Sequence, residues 1–159
     1  MTIAIGDSIP DVQVFIMRDG TPAAVSTLEI LGKGRVVLFA VPGAFTPGCS
    51  QQHLPGYAAR ADDLAGKGVD RIVCIAVNDV FVMDAWGRDH GVSDTFTMAA
   101  DGDASFARAM GTDVDVPGLG TRTRRYALVA EDGVVTAFMP EPDGFSVVDS
   151  TAECVLATL

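Results

Sequence analysis

The sequence predicts an α/β fold with a central mixed β-sheet flanked by helices, and two observations carry that prediction. Two unbroken apolar runs, RVVLFAV (35–41) and RIVCIAV (71–77), are typical of strands buried on both faces of a sheet. Between them, apolar side chains recur at the spacing of one helix face: Leu54, Tyr57, Ala58, Ala61, Leu64 and Ala65. A strand, a helix and a strand in this order form a βαβ unit, whose strands lie parallel.

Shorter patterns predict the elements next to this unit. Val12, Val14 and Ile16 alternate along the chain as the inward residues of a half-buried strand do. Lys67 and Gly68 end the first helix. A second helix follows VND, with Asn78 as its N-cap and four apolar residues at helical spacing: Phe81, Val82, Ala85 and Trp86.

Three further elements complete the expected domain. DASFARAM (103–110) predicts a short helix. RYALVA (125–130) and VVTAFM (134–139) flank a Glu-Asp-Gly turn, which predicts a β-hairpin. STAECVLATL (150–159) predicts a terminal helix in which Ser150 and Glu153 form a capping box.

Length and charge limit the classes of function. The 159 residues predict one domain, 1–159, that buries a core without metal or disulfide staples. No stretch approaches the roughly 20 apolar residues that span a bilayer. Eleven basic and 21 acidic residues give a net charge of −10, which opposes binding to nucleic acids and anionic membranes. We therefore expect neither as a partner.

The N-terminus and the cysteines indicate the compartment. MTIAIGDSIPDVQV has neither the positive nor the apolar region of a signal peptide. The three cysteines, Cys49, Cys74 and Cys154, are an odd number at wide spacing, which is unlike a secreted disulfide framework. We expect a cytoplasmic protein with free thiols.

Cys49 lies where a reactive thiol is favoured. It follows the carboxyl end of a predicted central strand, the edge at which open α/β sheets bind ligands. Thr46 suits the N-cap of the next helix and Pro47 its first position, so that Cys49 falls near the third. The unpaired amides and positive dipole there favour a thiolate. Cys74, inside an apolar run, and Cys154, on an amphipathic helix, instead fit the usual packing role of free cysteines.

The motif around Cys49 resembles that of the peroxiredoxins. Pro42, Thr46 and Cys49 match Pro-x-x-x-Thr-x-x-Cys, and VPGAFTPGCSQQHLPGY (41–57) is similar to the peroxiredoxin 5, or atypical type II, subfamily. The similarity continues through GVDRIVCIAVNDVFVMDAWG, GLGTRTRRYALVAEDGVV and STAECVLATL. It implies a thioredoxin-like fold and thiol-dependent reduction of hydrogen peroxide and organic hydroperoxides. No metal or organic cofactor is expected, because sulfur itself is oxidised to a sulfenic acid.

The resemblance implies roles for four residues. Cys49 resembles the peroxidatic nucleophile, Thr46 the residue that holds the peroxide, Pro42 the one that shields the pocket from water, and Arg125 the family's distant arginine. Strand alternation puts Arg124 and Arg125 on opposite faces without saying which points inward. His53 matches the subfamily's HLPG string, and we expect it to support the site rather than act as a base. His90 is expected at a helix end on the surface.

The regeneration step has two routes at this stage. A cysteine at the Cys74 position is a proposed resolving thiol in plant-like members, but a disulfide with Cys49 requires Cα atoms within about 7 Å and therefore an unwound helix start. In animal-like members the resolving cysteine follows EPDG, where this sequence has Asp149, and the role is not transferred to Cys154. The other route uses glutathione, glutaredoxin or a thioredoxin-type thiol.

The resemblance also implies a homodimer. Phe45 and Trp86 are candidates either for the dimer interface or for the core.

Three other classes of function compete with the peroxidase. A cysteine hydrolase requires a histidine base within reach of Cys49, and His53 is a poor candidate because the two share one helix face. A thioredoxin-like binding module lacks Cys-x-x-Cys chemistry, and no His or Cys spacing fits zinc.

Overall fold

The computed structural model describes residues 1–159 as nine strands and five α-helices. The strands are β1 (Gln13–Arg18), β2 (Thr21–Ser26), β3 (Arg35–Ala40), β4 (Arg71–Ala76), β5 (Thr97–Ala100), β6 (Asp113–Val116), β7 (Gly120–Thr123), β8 (Tyr126–Glu131) and β9 (Val134–Pro140). The helices are α1 (Thr27–Leu31), α2 (Leu54–Gly66), α3 (Val80–Asp89), α4 (Ser105–Met110) and α5 (Ala152–Leu156). None of these helices combines the length and apolar character needed to cross a membrane.

Seven strands form one mixed sheet in the order β2-β1-β5-β4-β3-β8-β9, which confirms the predicted mixed sheet flanked by helices. β3, β4 and β5 are parallel neighbours, as the βαβ pattern predicts, and β8 lies antiparallel to β3. β6 and β7 form a separate two-stranded hairpin. The β8–β9 hairpin turns at Asp132 and Gly133, whose φ angles of 49° and 82° suit the left-handed positions of a tight turn.

The central strands are buried on both faces, because side chains alternate along each strand between two hydrophobic layers. Phe39 and Cys74 point into one layer, which α2, α3 and α5 cover. Leu38 and Ile75 point into the other layer, which α1 and α4 cover. Cys49 belongs to the first layer, so the candidate nucleophile lies on that face of the sheet.

Two predicted helix caps are wrong by one residue. The N-cap of α3 is Asp79, which accepts from Val82 N, while the Asn78 side chain accepts from Ala44 N instead. The N-cap of α5 is Thr151 and not Ser150. In both cases the expected residue is held by a tertiary hydrogen bond, which left its neighbour to cap the helix.

Candidate active site

The segment after β3 carries Cys49 to the start of a long helix. The helix begins at Pro47, and the Thr46 carbonyl accepts its first bond from Ser50 N at 2.9 Å. Thr46 therefore lies at the N-cap position and Cys49 three residues later, as the sequence predicts. The Cys49 side chain is fully buried.

Cys49–His53 form a π-helical turn that runs into α2, a feature that the sequence analysis missed. Leu54 N donates to Cys49 O, five residues back instead of four. Pro55 explains the widening, because it has no backbone N–H to bond the carbonyl four residues earlier. A proline inside a helical pattern was the available signal.

Arg125 directly precedes β8, reaches Cys49 from there and donates hydrogen bonds to three partners. Its Nη2 donates to Cys49 Sγ at 3.2 Å, its Nη1 to His53 Nδ1 at 2.8 Å, and its Nε to the Phe145 carbonyl at 2.9 Å. Arg125 is only 3% exposed. Residues 125, 127 and 129 share one face by strand alternation, and Ala127 packs in the same layer as Cys49. The structure thus answers which of Arg124 and Arg125 points inward.

His53 supports Arg125 and has no free nitrogen for base chemistry. Its Nε2 is 2.9 Å from the Ser150 carbonyl, an acceptor, so Nε2 carries the proton and Nδ1 accepts from the guanidinium. Burial, followed by the charge of Arg125, lowers the pKa of His53 from 6.5 to about 3. The imidazole is neutral at pH 7. Because both of its nitrogens are hydrogen-bonded, His53 is not available as the base of a cysteine hydrolase.

Thr46 and Pro42 lie in the turn between β3 and the helix that carries Cys49. The Thr46 hydroxyl donates to the Gly43 carbonyl at 2.6 Å, which leaves its oxygen lone pairs as acceptors. Pro42 is buried directly after β3. Phe45, between them, takes a left-handed φ of 64° and is 52% exposed. The strained turn therefore presents the Thr46 oxygen beside the helix start.

Gly48 is a site residue that sequence reasoning missed. A Cβ built on Gly48 would lie 3.2 Å from Arg125 Nη2, so a larger residue would press on the guanidinium that reaches Cys49. The Cys49 neighbourhood depends on this close approach of backbone and arginine. Its position directly before the cysteine was the only signal in the sequence.

The other predicted residues lie at different places. Cys74 is buried on β4 in the same hydrophobic layer as Cys49, and burial followed by the proximity of Cys49 raises the pKa of its thiol. Cys154 is partly exposed on α5, with Sγ 3.4 Å from the Val148 carbonyl. Trp86 is fully buried, so of its two predicted alternatives the structure supports the core. His90 ends α3, as expected.

No group of three or more His, Cys, Asp or Glu side chains is arranged to hold a metal ion. The two other arginines of the TRTRR segment make no hydrogen bond to Cys49. Arg122 donates to the carbonyls of Val77 and Leu119, and Arg124 is exposed.

The chain is similar to peroxiredoxins in both sequence and structure. The model of the Redoxin family matches residues 4–154. The chloroplastic peroxiredoxin-2E-2 of Oryza sativa subsp. japonica is 45% identical over 98% of this chain and 72% of its own length. Reduced Prx3 of Vibrio vulnificus in complex with H₂O₂ superposes with a TM-score of 0.91 at 45% identity, covering 98% of each chain. Peroxiredoxin 5 of Alvinella pompejana gives a TM-score of 0.86 at 34% identity, covering 98% of this chain and 97% of its own.

Proposed function

The chain belongs to the Redoxin family and is a peroxiredoxin of the atypical type with a thioredoxin-like fold, and from this premise we propose that Cys49 reduces hydrogen peroxide and organic hydroperoxides. The observation that carries the proposal is the 3.2 Å contact from Arg125 Nη2 to Cys49 Sγ at a helix start. A guanidinium cation and unpaired helix amides both favour a thiolate over a thiol. The thiolate is the form that attacks oxygen.

The chemical step is a displacement on oxygen. The Cys49 thiolate attacks one peroxide oxygen, an S–O bond forms and the O–O bond breaks. The departing oxygen leaves with the bonding pair and takes a proton, giving water from hydrogen peroxide or an alcohol from an organic hydroperoxide. Sulfur loses two electrons and becomes a sulfenic acid. No metal or organic cofactor takes part in this step.

The surrounding residues each fit one requirement of that step. Arg125 is cationic at all working pH values and donates toward the sulfur, where the negative charge begins. The Thr46 oxygen accepts a hydrogen bond from a peroxide O–H, because its own proton is given to Gly43. Pro42 is buried after β3, and we assign it the role of shielding the pocket from water. Donors fixed before the reaction lower its barrier without reorganisation.

Regeneration proceeds through an external thiol in this proposal. Glutathione, glutaredoxin or a thioredoxin-type thiol attacks the sulfenic sulfur, water leaves, and a second thiol releases Cys49 as a disulfide of the reductant forms. Cys74 is the alternative resolving thiol. It is fully buried on β4, and its raised pKa keeps it protonated, which makes it a poor attacking group without local unwinding.

The homodimer and the cytoplasmic location are further proposals. The exposed Phe45 ring lies beside the site and offers apolar surface for a second copy. The cytoplasmic location agrees with three free cysteines, since a reducing compartment keeps thiols unpaired, and it is tested by fractionating the cells that make the protein.

Peroxide consumption with glutathione or dithiothreitol as reductant tests the proposed function. We expect Cys49→Ser to abolish consumption, with circular dichroism unchanged. Cys154→Ser is the matched control, because the Cys154 thiol bonds the Val148 carbonyl and makes no hydrogen bond to Cys49 or Arg125. Consumption by Cys49→Ser at the wild-type rate refutes the proposal.

A further inference from the structure

Glu141 is a buried carboxylate for which the proposed reaction has no role so far. It follows the last residue of β9 and is 4% exposed, and none of the salt bridges in the structure involves it. An ionised carboxylate removed from water is costly unless hydrogen bonds replace its hydration. The structure supplies those bonds from a single short segment.

Backbone and side-chain donors of residues 148–150 converge on this carboxylate. Glu141 Oε2 accepts from Val148 N at 3.0 Å, Asp149 N at 2.9 Å, Ser150 N at 2.7 Å and Ser150 Oγ at 2.6 Å. Oε1 accepts a further bond from Asp149 N at 3.1 Å. Burial alone would raise the pKa of Glu141, but these hydrogen bonds hold it below its usual value. The carboxylate is therefore charged and clamps the segment.

The clamped segment presents the carbonyl that orients His53. Ser150 O accepts from His53 Nε2 at 2.9 Å and from the Tyr57 hydroxyl at 2.8 Å. With its proton on Nε2, His53 offers only a lone pair at Nδ1, and that lone pair receives Arg125 Nη1. A displaced Ser150 carbonyl would release the imidazole and, with it, one side of the guanidinium.

The backbone of Glu141 holds Arg125 as well. Glu141 N donates to Arg125 O at 3.1 Å, Gly144 N donates to Glu141 O at 2.9 Å, and Arg125 N donates to Gly144 O at 2.7 Å. The turn that begins at Glu141 thus hydrogen-bonds the Arg125 backbone. The Glu141 carboxylate binds residues 148–150, whose Ser150 carbonyl accepts from His53. Both paths end at Arg125, whose Nη2 lies 3.2 Å from Cys49 Sγ.

We propose that Glu141 is a positioning residue that sets the orientation of Arg125 over Cys49 through Ser150 and His53. This inference rests on the proposed function for its kinetic consequence but not for its structural one. Glu141 touches neither peroxide nor sulfur. Its effect on the reaction is transmitted by one carbonyl and one imidazole.

Glu141→Gln is the first test variant, because it keeps the shape of the side chain but removes the charge and points an amide N–H₂ at backbone donors. We expect the rate constant of Cys49 with hydrogen peroxide to fall about tenfold, since displacement of a preorganised donor slows the reaction. Glu141→Asp keeps the charge but is one methylene short, and its rate constant should lie between those of the wild type and Glu141→Gln. Glu153→Gln is the control, because Glu153 pairs with Arg60 on the surface and has no bond to Ser150.

Histidine NMR separates positioning from simple stabilisation. The chain has two histidines, so ¹⁵N-histidine spectra resolve His53 with His90 as an internal reference. In the wild type we expect His53 as the Nε2-H form at pH 5, and in Glu141→Gln we expect mixed tautomers and titration above pH 5. If Glu141→Gln lowers the melting temperature but leaves both the rate and the His53 signal unchanged, the proposal is wrong. If Glu141→Gln does not fold, the same readouts on Glu141→Asp decide.

Failure of the proposed function is distinguishable from failure of this inference. A wild-type protein that does not react with peroxide refutes the peroxidase. The His53 spectra still test the Glu141 clamp, because they require no turnover.

Discussion

Arg125 Nη1 donates to His53 Nδ1 at 2.8 Å, a contact between a permanent cation and an imidazole that must remain neutral to accept it. The Ser150 carbonyl on the other side of the ring enforces the same tautomer. The histidine is therefore a fixed acceptor that aims the other guanidinium nitrogen at Cys49.

Arg125→Lys is expected to slow the reaction of Cys49 with hydrogen peroxide by about 10² to 10³, the cost of losing one preorganised donor in an active site. A lysine ammonium keeps the charge but not the planar fork that contacts His53, Phe145 and Cys49 together. Stopped-flow measurement of the single-turnover rate checks this. Arg124→Lys, on the exposed neighbour, should be unchanged, and equal rates in both variants would contradict the account.

Thr46→Val is expected to lower the same rate constant about tenfold or more, because the hydroxyl oxygen that accepts from peroxide is lost. Thr46→Ser keeps the hydroxyl and its bond to Gly43 O, and should recover most of the rate. Both variants are measured by competition against a peroxidase of known rate. A Thr46→Val rate equal to that of Thr46→Ser would show that the hydroxyl takes no part.

His53 makes the free energy of unfolding depend on pH. Its folded pKa is about 3 and its ordinary value is 6.5, so between these values the unfolded chain binds the extra proton. Stability from this group is therefore fully present above pH 6.5 and is lost as the pH falls toward 3, by about 5 kcal/mol. Glu141, whose folded pKa is also lowered, weakens the fold in the same direction as the solution is acidified.

Comparison with His53→Gln isolates the histidine contribution. The variant should be less stable than the wild type at pH 7, because it loses the bond to Arg125. The difference in free energy of unfolding should narrow as the pH falls, because only the wild type has the histidine with the lowered pKa. Urea denaturation between pH 7 and pH 4 measures both curves. Parallel curves would mean that His53 does not titrate as the structure implies.

Cys74→Ser is expected to leave turnover with glutathione as reductant within about twofold of the wild type. The reason is that Cys74 is fully buried on β4 and pairs in register with Phe39 in the middle of the sheet. Steady-state peroxide consumption checks the variant, with Cys154→Ser measured beside it. Loss of turnover in Cys74→Ser alone would establish internal resolution by a Cys49–Cys74 disulfide.

Phe45→Asp is expected to convert a homodimer into a monomer. The ring is 52% exposed, and a stable interface of about 1,000 Å² or more needs apolar anchors of this kind. Sedimentation equilibrium measures the mass, with Phe15→Asp, on β1, as the control for loss of an exposed ring. A monomeric wild type, or a dimer unaffected by Phe45→Asp, would refute the prediction.

The parts of the site that were predicted from the sequence are local in the chain. Pro42, Thr46 and Cys49 lie within eight residues, so a strand, a turn and a helix start were sufficient to place them. The βαβ unit and the β8–β9 hairpin were readable because continuous apolar runs and a turn dipeptide mark them. β2, with only one fully buried residue in six, carried no such pattern.

The parts that were missed depend on contacts between distant segments. Asn78 and Ser150 have the chemistry of helix caps, but the structure uses Asn78 to bind Ala44 N and Ser150 to bind Glu141. Neither partner is visible in a local window. Glu141 was missed for the same reason. A glutamate in EPDG is typical of a surface turn, and its four hydrogen-bond donors come from residues 148–150.

In the proposed reaction the Cys49 thiolate attacks peroxide and becomes a sulfenic acid. The most direct measurement adds one equivalent of hydrogen peroxide to the fully reduced protein, traps with a sulfenic-acid reagent within seconds, and maps the product by peptide mass spectrometry. We expect the trapped group on Cys49, and none on Cys74 or Cys154. Cys49 left unmodified while the peroxide persists would contradict it.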